Sequence, residues 1–294
     1  MAEQAYRWTA ADPSLRWITE NAAGLEVRVE DITEQVAALA LQGPTSARLL
    51  RSVTDAPIDS LKYFRAASGT IGGVPVDISR TGYTGDLGYE IWMPWDAALT
   101  VWDAIAAAGD AFDLHPTGML ALDVARVEAG LLLIDVDFHS SRKAMIESQK
   151  YSPYELGMAR LVDLGKGPFV GRHALADERR RGHRRQIVGL EVDWTAVEAL
   201  YEAVGLPPTA PAAASRVSVP VYKGGRQIGR ATTTAWSTML KKLIALATID
   251  RPHYAIGTTV DLEVTVEAVR HTATATVVKT PFFNPARKTA TPPL

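Results

Sequence analysis

The chain contains no cysteine among its 294 residues. This absence excludes disulfide bonds, thiolate catalysis and metal sites built on cysteine. Histidine is also scarce, and no two of the six histidines stand at the HxH or HxxxH spacing that is typical of zinc ligands. The sequence therefore predicts neither a redox-active thiol nor a bound metal ion.

A strong net charge is also missing, since 31 basic and 33 acidic residues leave a formal charge of −2. This balance gives no electrostatic reason to expect a nucleic acid or an anionic membrane as a partner. No apolar run approaches the roughly 20 residues of a membrane-spanning helix. The first residues also lack the charged-then-apolar layout of a signal peptide. We therefore expect a cytoplasmic protein that binds neither nucleic acid nor membrane.

The most distinctive stretch runs from Ser79 to Trp92 and carries three glycines at three-residue spacing. The alternation in Val74–Ile78 before it predicts one strand, and Tyr89–Met93 is typical of a second. We call residues 79–92 the glycine-rich hairpin. Its spacing does not match the glycine motifs that cradle phosphate, which need GxGxxG or GxxxxGK[ST] at the start of a helix.

Two side chains of the glycine-rich hairpin suit a planar, nitrogen-rich ligand. Tyr83 offers a flat face and one hydroxyl, which fit a heterocycle. Glu90 offers two acceptor oxygens, which fit adjacent N–H donors such as an aminopyrimidine edge. The alternative is an ordinary glycine-rich hairpin whose Tyr83 and Glu90 are merely half-exposed, and the pattern alone favours that alternative.

The sequence of the glycine-rich hairpin resembles the signature of the glycine cleavage T-protein (aminomethyltransferase) family, which includes folate-dependent demethylases. Further blocks agree with the family in the expected order and extend the resemblance over nearly the whole chain, at residues 39–44, 125–131, 155–157, 166–172 and 229–232. The resemblance implies an α+β fold, in which T-protein-like folate-binding α/β domains precede an antiparallel C-terminal β-barrel.

The residue pattern independently supports a barrel at the C-terminal end. Five short strands with tight turns lie between Val217 and Val278, as in small antiparallel barrels. Earlier in the chain we predict strands at 5–9 and 27–31, a helix that starts at Asp12-Pro13, and helices at 96–108, 117–129 and 170–181. We divide the chain into a folate-binding α+β region, residues 1–182, and a barrel domain, residues 183–294.

The resemblance implies tetrahydrofolate-dependent transfer of a methyl or aminomethyl group from a small-molecule donor. It also implies that Tyr83 contacts the pterin ring, that Glu90 accepts hydrogen bonds from pterin N–H groups, and that Arg126 contacts the carboxylated tail. We expect Tyr83 and Glu90 to line one concave pocket. Arg126 has an equally good structural explanation, since a cation near the C-terminal end of a helix is favoured by the helix dipole.

The chain departs from the family pattern in one respect. The resemblance implies roughly a further hundred residues before the point that matches Met1, within the usual range of domain sizes. The resemblance places the family's acid/base aspartate in that segment, so no residue here is assigned as catalytic, although Asp77 stands just before the hairpin and Asp86 within it. The alternatives are a non-catalytic folate-binding homologue, or one half of a split enzyme completed by a partner chain or a second copy over an unpaired sheet edge.

A second polar cluster follows the helix at 117–129. Asp135, Asp137 and His139 alternate in sequence, which suggests a metal or acid/base cluster. No fourth ligand is evident nearby, so a solvated loop is the favoured interpretation.

Overall fold

The computed structural model describes residues 4–11 and 14–292. Helices and a four-stranded sheet come first in the chain, and a closed barrel follows. The helices are α1 (Leu15–Ala22), α2 (Ser46–Val53), α3 (Ala98–Gly109), α4 (Met119–Glu128), α5 (Arg172–Arg181) and α6 (Trp194–Glu202). The sheet strands are β1 (Val36–Gln42), β2 (Ala66–Ile71), β3 (Val74–Ser79) and β4 (Gly88–Pro94). The barrel strands are β5 (Arg185–Val192), β6 (Val219–Lys223), β7 (Arg226–Ser237), β8 (Lys242–Asp250), β9 (Thr259–Val266) and β10 (Val269–Val278).

The sheet is antiparallel in the order β1-β4-β3-β2 and buries only one of its faces. Alternate residues, including Ile78, Tyr89 and Ile91, are fully buried in a core that also contains apolar residues of α2 and α3. Because side chains alternate across a strand, the residues between them belong to the opposite face. That opposite face carries Glu90 and Trp92, so the amphipathic pattern of the hairpin strands determines where Glu90 lies.

The barrel closes in the order β10-β5-β8-β7-β6-β9, and every neighbouring pair is antiparallel. Its interior is filled by small and branched apolar residues, such as Val188, Ala245 and Leu262. Closure leaves no free strand edge. The predicted α+β class and the C-terminal barrel are therefore both confirmed, and the strand at 185–192 completes the barrel as a sixth member.

Several local predictions differ from the structure. Residues 5–9 and 27–31 are not strands, because an alternating pattern forms a strand only when a neighbouring strand pairs with it, and none of the described residues does so. Helix α1 begins at Leu15, while the predicted start at Asp12-Pro13 lies outside the described residues. Helix α6 was not predicted; Asp193 caps its first turn by accepting a hydrogen bond from the Thr195 amide.

None of the helices within residues 4–11 and 14–292 is long and apolar enough to cross a membrane. The domain boundary between residues 182 and 183 stays a prediction.

The hydroxyl of Tyr89 is buried in the sheet core without a hydrogen-bond partner in the described part of the chain. Burial also raises the pKa of this phenol, so it stays protonated. An unpaired buried hydroxyl carries a desolvation cost of about 1–3 kcal/mol. We expect Tyr89→Phe to raise the free energy of unfolding by about 1 kcal/mol, measured by urea denaturation.

Tyr151→Phe is the matched control, because the Tyr151 hydroxyl lies 3.0 Å from Thr248 Oγ1, within hydrogen-bonding distance. Both variants remove a tyrosine hydroxyl oxygen, but Tyr151→Phe also removes a hydrogen bond. We therefore expect Tyr151→Phe to lower the free energy of unfolding by about 1 kcal/mol. If Tyr89→Phe instead destabilised the protein as much as the control does, the Tyr89 hydroxyl would have a partner after all.

Candidate active site

Two of the three glycines in the hairpin make room for the side chain of Gln42, which lies on β1. A Cβ atom on Gly82 or on Gly88 would collide with the Gln42 carboxamide. From this position Gln42 donates from Nε2 to the Tyr89 carbonyl at 3.1 Å and accepts from the Thr84 hydroxyl at 3.2 Å. The glycines therefore admit a side chain that ties the hairpin to β1.

The half-exposed face of the sheet forms an open cavity of about 620 Å³ beside the hairpin. It is lined by Arg7, Thr9, Phe64, Ala66, Asp77, Ser79, Thr81, Glu90 and Trp92. Strand register places Glu90 between Ala40 on β1 and Ser79 on β3. Both neighbours are small, so the space above the Glu90 carboxylate stays open.

The Glu90 carboxylate is held from one side. Its Oε2 atom accepts a hydrogen bond from the Thr81 hydroxyl at 2.7 Å and lies 3.5 Å from the Ser79 hydroxyl. In the described part of the chain, no hydrogen bond reaches its Oε1 atom. Glu90 is therefore oriented by its neighbours and retains acceptor capacity toward the cavity.

The other charged groups of the cavity neutralise each other. Arg7 donates to Asp77 at 2.9 Å, and its guanidinium lies 5.0 Å from the centre of the Trp92 ring. These contacts hold the N-terminal segment along the open face of the sheet. Glu90 is left as the anionic group that has no cationic partner among the described residues.

Tyr83 does not line the cavity that contains Glu90, so the prediction of one shared pocket is wrong. Its hydroxyl donates to the Leu132 carbonyl at 2.6 Å, and burial raises its pKa. The cause is the irregular path of the loop between β3 and β4, which turns Tyr83 toward the segment after α4. A sequence pattern reports spacing along the chain, but it does not report the direction of a loop side chain.

Arg126 is almost completely buried, with 1% of its side chain exposed. It donates from Nε to Asp123 at 2.8 Å, from Nη1 to Asp137 at 2.5 Å, and from Nη2 to the Thr233 hydroxyl at 3.0 Å. Arg126 therefore has a structural role through three side-chain partners, separate from the helix dipole. Contact between Arg126 and a folate tail stays a prediction, and it would require these bonds to rearrange.

Asp137 is fully buried, which overturns the expectation of a solvated loop at this position. Its Oδ1 atom accepts from the hydroxyls of Thr232 at 2.7 Å and Thr233 at 2.8 Å, and its Oδ2 atom also accepts from the Leu133 amide at 2.8 Å. Consecutive strand residues normally face opposite sides. Here a β-bulge in β7 between Ala231 and Thr233 brings both hydroxyls to one carboxylate.

Asp123 extends the same cluster to the surface. Burial opposes its ionisation, but hydrogen bonds from Arg216 and Arg126 outweigh burial and hold the pKa of this carboxyl below its usual value. Arg216 Nε lies 2.7 Å from the second Asp123 oxygen. We call Asp123, Arg126, Asp137, Arg216, Thr232 and Thr233 the buried ion network. It joins α4 and the following loop to the barrel.

The structure gives no support to metal binding by the alternating residues. Asp135 is exposed and pairs with Lys143 at 2.5 Å, whereas Asp137 faces the barrel. No group of three or more His, Cys, Asp or Glu residues is arranged to hold a metal ion within residues 4–11 and 14–292.

Two family models match the chain. The GCVT N-terminal domain matches residues 2–166, and the glycine cleavage T-protein C-terminal barrel domain matches residues 202–284. These matches define a T-protein-like class of protein, in agreement with the sheet, the hairpin and the barrel. The chain belongs to the glycine cleavage T-protein family, as its sequence blocks predicted.

Individual relatives agree with this assignment. An aminomethyltransferase of Moorella thermoacetica is 37% identical over 94% of this chain and 68% of the relative. An aminomethyltransferase of Bacillus subtilis is 36% identical over 92% of this chain and 67% of the relative. A trimethylamine-oxide aldolase of Ruegeria pomeroyi is 38% identical over 89% of this chain but only 31% of that protein. The chain thus spans about two thirds of the length of the aminomethyltransferases.

A solved structure shows the same fold. The glycine cleavage system aminomethyltransferase T from Bartonella henselae superposes with a TM-score of 0.70 and 22% sequence identity. The superposition covers 92% of this chain and 65% of that chain. At this level of identity the likeness concerns the arrangement of the sheet and barrel.

Proposed function

We propose that this chain takes part in tetrahydrofolate-dependent one-carbon transfer, in which a methyl or aminomethyl group moves from a small donor to the folate. The observation that carries the proposal is Glu90, an oriented carboxylate with acceptor capacity that faces an open cavity in a T-protein family chain. A carboxylate of this kind pairs well with the adjacent N–H donors of a 2-aminopyrimidine edge.

The cavity fits the pterin end of tetrahydrofolate in size and chemistry. A volume of about 620 Å³ lies within the range of small-molecule sites, about 300–1,000 Å³. Tetrahydrofolate supplies the nitrogen that accepts the one-carbon group. Glu90 orients the ring through its N–H edge, and Trp92 offers an aromatic wall, so that the contribution of these residues is binding and positioning.

We assign no general acid or base. Asp77 lies in the cavity but is paired with Arg7, and Asp86 is paired with Arg287, so neither carboxylate is free for proton transfer in this structure. General acid/base help typically contributes about 10²–10⁴-fold to a rate. We therefore expect slow turnover by the chain alone.

A partner that covers the open sheet face is part of the proposal. Ala38 and Ala40 are exposed on β1 beside the Glu90 cavity, and β1 is an edge strand. Such a surface favours association with a second chain or a second copy. Light scattering of the purified chain tests this point, and a stable monomer with rapid methyl transfer would contradict it.

We expect Glu90→Gln to weaken the binding of a folate analogue by about 5- to 150-fold, which corresponds to about 1–3 kcal/mol. The amide replaces one acceptor oxygen by an NH₂ group, which faces the ligand's own N–H donors. Isothermal titration calorimetry measures the effect, and the melting temperature shows whether the fold is intact.

Glu198→Gln is the matched control, because Glu198 is exposed on α6 and the chemical change is identical. It should leave the folate-analogue Kd unchanged. Equal affinities for the wild type and for Glu90→Gln, at equal melting temperatures, would remove Glu90 from the site.

A screen of methyl and aminomethyl donors with tetrahydrofolate then tests the reaction itself. One relative is named for aminomethyl transfer and another for an amine-oxide substrate, so small amines are the first donors to try. The screen includes demethylation of methylated amines. Folate binding without transfer from any donor would favour a non-catalytic homologue. Transfer that appears only after a second chain is added would favour half of a split enzyme.

A further inference from the structure

The chain after the last barrel strand returns to the glycine-rich hairpin. We call residues 279–290 the C-terminal strap. Its Phe282 packs against the small cluster formed by α4, β7 and β8, in space that Gly189 leaves open because a Cβ atom there would lie 2.7 Å from the Phe282 ring. The Phe283 amide donates to the Glu128 carbonyl at 2.8 Å. These contacts direct the strap across the end of α4 to the loop at residues 80–87.

Two side chains of that loop hold the strap. Asp86 forms a two-pronged ion pair with Arg287, with both N···O distances at 2.6 Å. Arg80 has only 2% of its surface exposed and donates to the carbonyls of Arg287, Lys288 and Ala290. The family model for the barrel ends at residue 284, so both anchoring contacts lie beyond the residues that it matches.

These contacts lead directly to the proposed binding group. Arg80 precedes Thr81, and the Thr81 hydroxyl is the donor that orients Glu90 at 2.7 Å. The ladder between β3 and β4 ends at Ser79 and Glu90, so the loop between them is held by side-chain contacts. Gln42 and Tyr83 supply two of these contacts, and the strap supplies the pair with Asp86 and the bonds of Arg80. A two-pronged guanidinium–carboxylate pair fixes both distance and direction, which a single contact does not.

We propose that the C-terminal strap positions the glycine-rich hairpin for ligand binding, with Arg287, Asp86 and Arg80 as positioning residues. This inference rests on the proposed function, in which Glu90 binds the folate. The strap acts through the loop at 80–87, and none of the three residues needs to touch the ligand.

The test uses the full chain and the variants Arg287→Ala, Arg287→Lys and Asp86→Asn, with two measurements on each. Hydrogen exchange of the amides at 80–87 reports the order of the loop, and calorimetry with a folate analogue reports binding. We expect Arg287→Ala to speed exchange and to raise the Kd, each by about tenfold, which is the scale of a lost charge-assisted hydrogen bond. Arg287→Lys keeps the positive charge but loses the two-pronged geometry of the guanidinium. It should therefore show smaller increases in the exchange rate and in the Kd than Arg287→Ala does.

The double variant of Asp86→Asn and Arg287→Ala should raise the Kd no further than the stronger single variant, because both changes remove the same pair. Arg270→Ala is the control, since Arg270 is exposed and its carboxylate partner Glu263 is 3.8 Å away. It should change neither measurement. If the variants at Arg287 and Asp86 melt at the same temperature as Arg270→Ala, the changes in binding come from lost positioning and not from general unfolding.

Unchanged exchange at 80–87 in Arg287→Ala would overturn the inference, whatever the binding result. Faster exchange with an unchanged Kd would also overturn it, because the loop order would then not matter for the ligand. If the wild-type chain bound no folate analogue, the proposed function would fail, and the exchange data alone would show whether the strap orders the loop.

Discussion

Replacing Asp137 by alanine is expected to lower the free energy of unfolding by about 3–5 kcal/mol, which is the usual cost of removing one partner from a buried ion pair. The change leaves Arg126, with 1% of its side chain exposed, without its closest carboxylate. It also leaves the hydroxyls of Thr232 and Thr233 without their shared acceptor. Urea denaturation followed by tryptophan fluorescence measures the loss.

Asp135→Ala is the control for Asp137→Ala. The two aspartates are two residues apart in one loop, but Asp135 is exposed and pairs with an exposed lysine. Surface ion pairs contribute about 0–1 kcal/mol, so the control should stay within that range. If Asp137→Ala lowered the free energy of unfolding no more than this surface control does, the buried ion network would not hold the barrel to α4.

Replacing Gly85 by alanine is expected to cost about 2–5 kcal/mol from two separate causes. Gly85 has φ of +76°, and the left-handed region costs a residue with a Cβ atom about 1–2 kcal/mol. In addition, the new Cβ would lie 2.6 Å from the Cβ of Ala129, so the end of α4 or the loop must shift. Overpacking of this kind typically adds about 1–3 kcal/mol. Thermal and urea unfolding measure the total.

Gly73→Ala separates the two causes. Gly73 has φ of +78°, but a Cβ atom there meets nothing within 4 Å, so only the backbone cost of about 1–2 kcal/mol should appear. The double variant of Gly85→Ala and Ala129→Gly should recover part of the packing cost, as a double-mutant cycle would show. Equal losses for Gly85→Ala and Gly73→Ala would contradict close packing between the hairpin and α4.

The local features of the fold could be predicted from the sequence because they depend on neighbours along the chain. The alternation of apolar and polar residues predicted the strands of the hairpin and of the barrel, and the helical spacing of apolar residues predicted α3, α4 and α5. The same reasoning failed at 5–9 and at 27–31, since pairing depends on a distant strand. It also failed to find α6, a nine-residue helix between two barrel segments.

The candidate site shows the same division. Glu90 could be selected from the sequence, because its place on an alternating strand sets it on the face opposite the sheet core. Asp137 could not be recognised as buried, because its partners Thr232 and Thr233 lie 95 and 96 residues away and meet it only through a bulge. The role of Gln42 could not be predicted either, because it depends on the space that Gly82 and Gly88 leave for its side chain in the folded chain.

By itself, the sequence determined the family, the α+β class and the barrel, and it selected Glu90 as the proposed binding residue, because each of these is expressed in a local pattern or in the order of the sequence blocks. Only the tertiary structure decided that Tyr83 bonds to Leu132 and does not line the Glu90 cavity, that Arg126 is held by Asp123 and Asp137, and that the chain's last segment returns to the hairpin. The physical reason is that loop directions and ion pairs depend on contacts between distant residues. Spacing along the chain carries no record of those contacts.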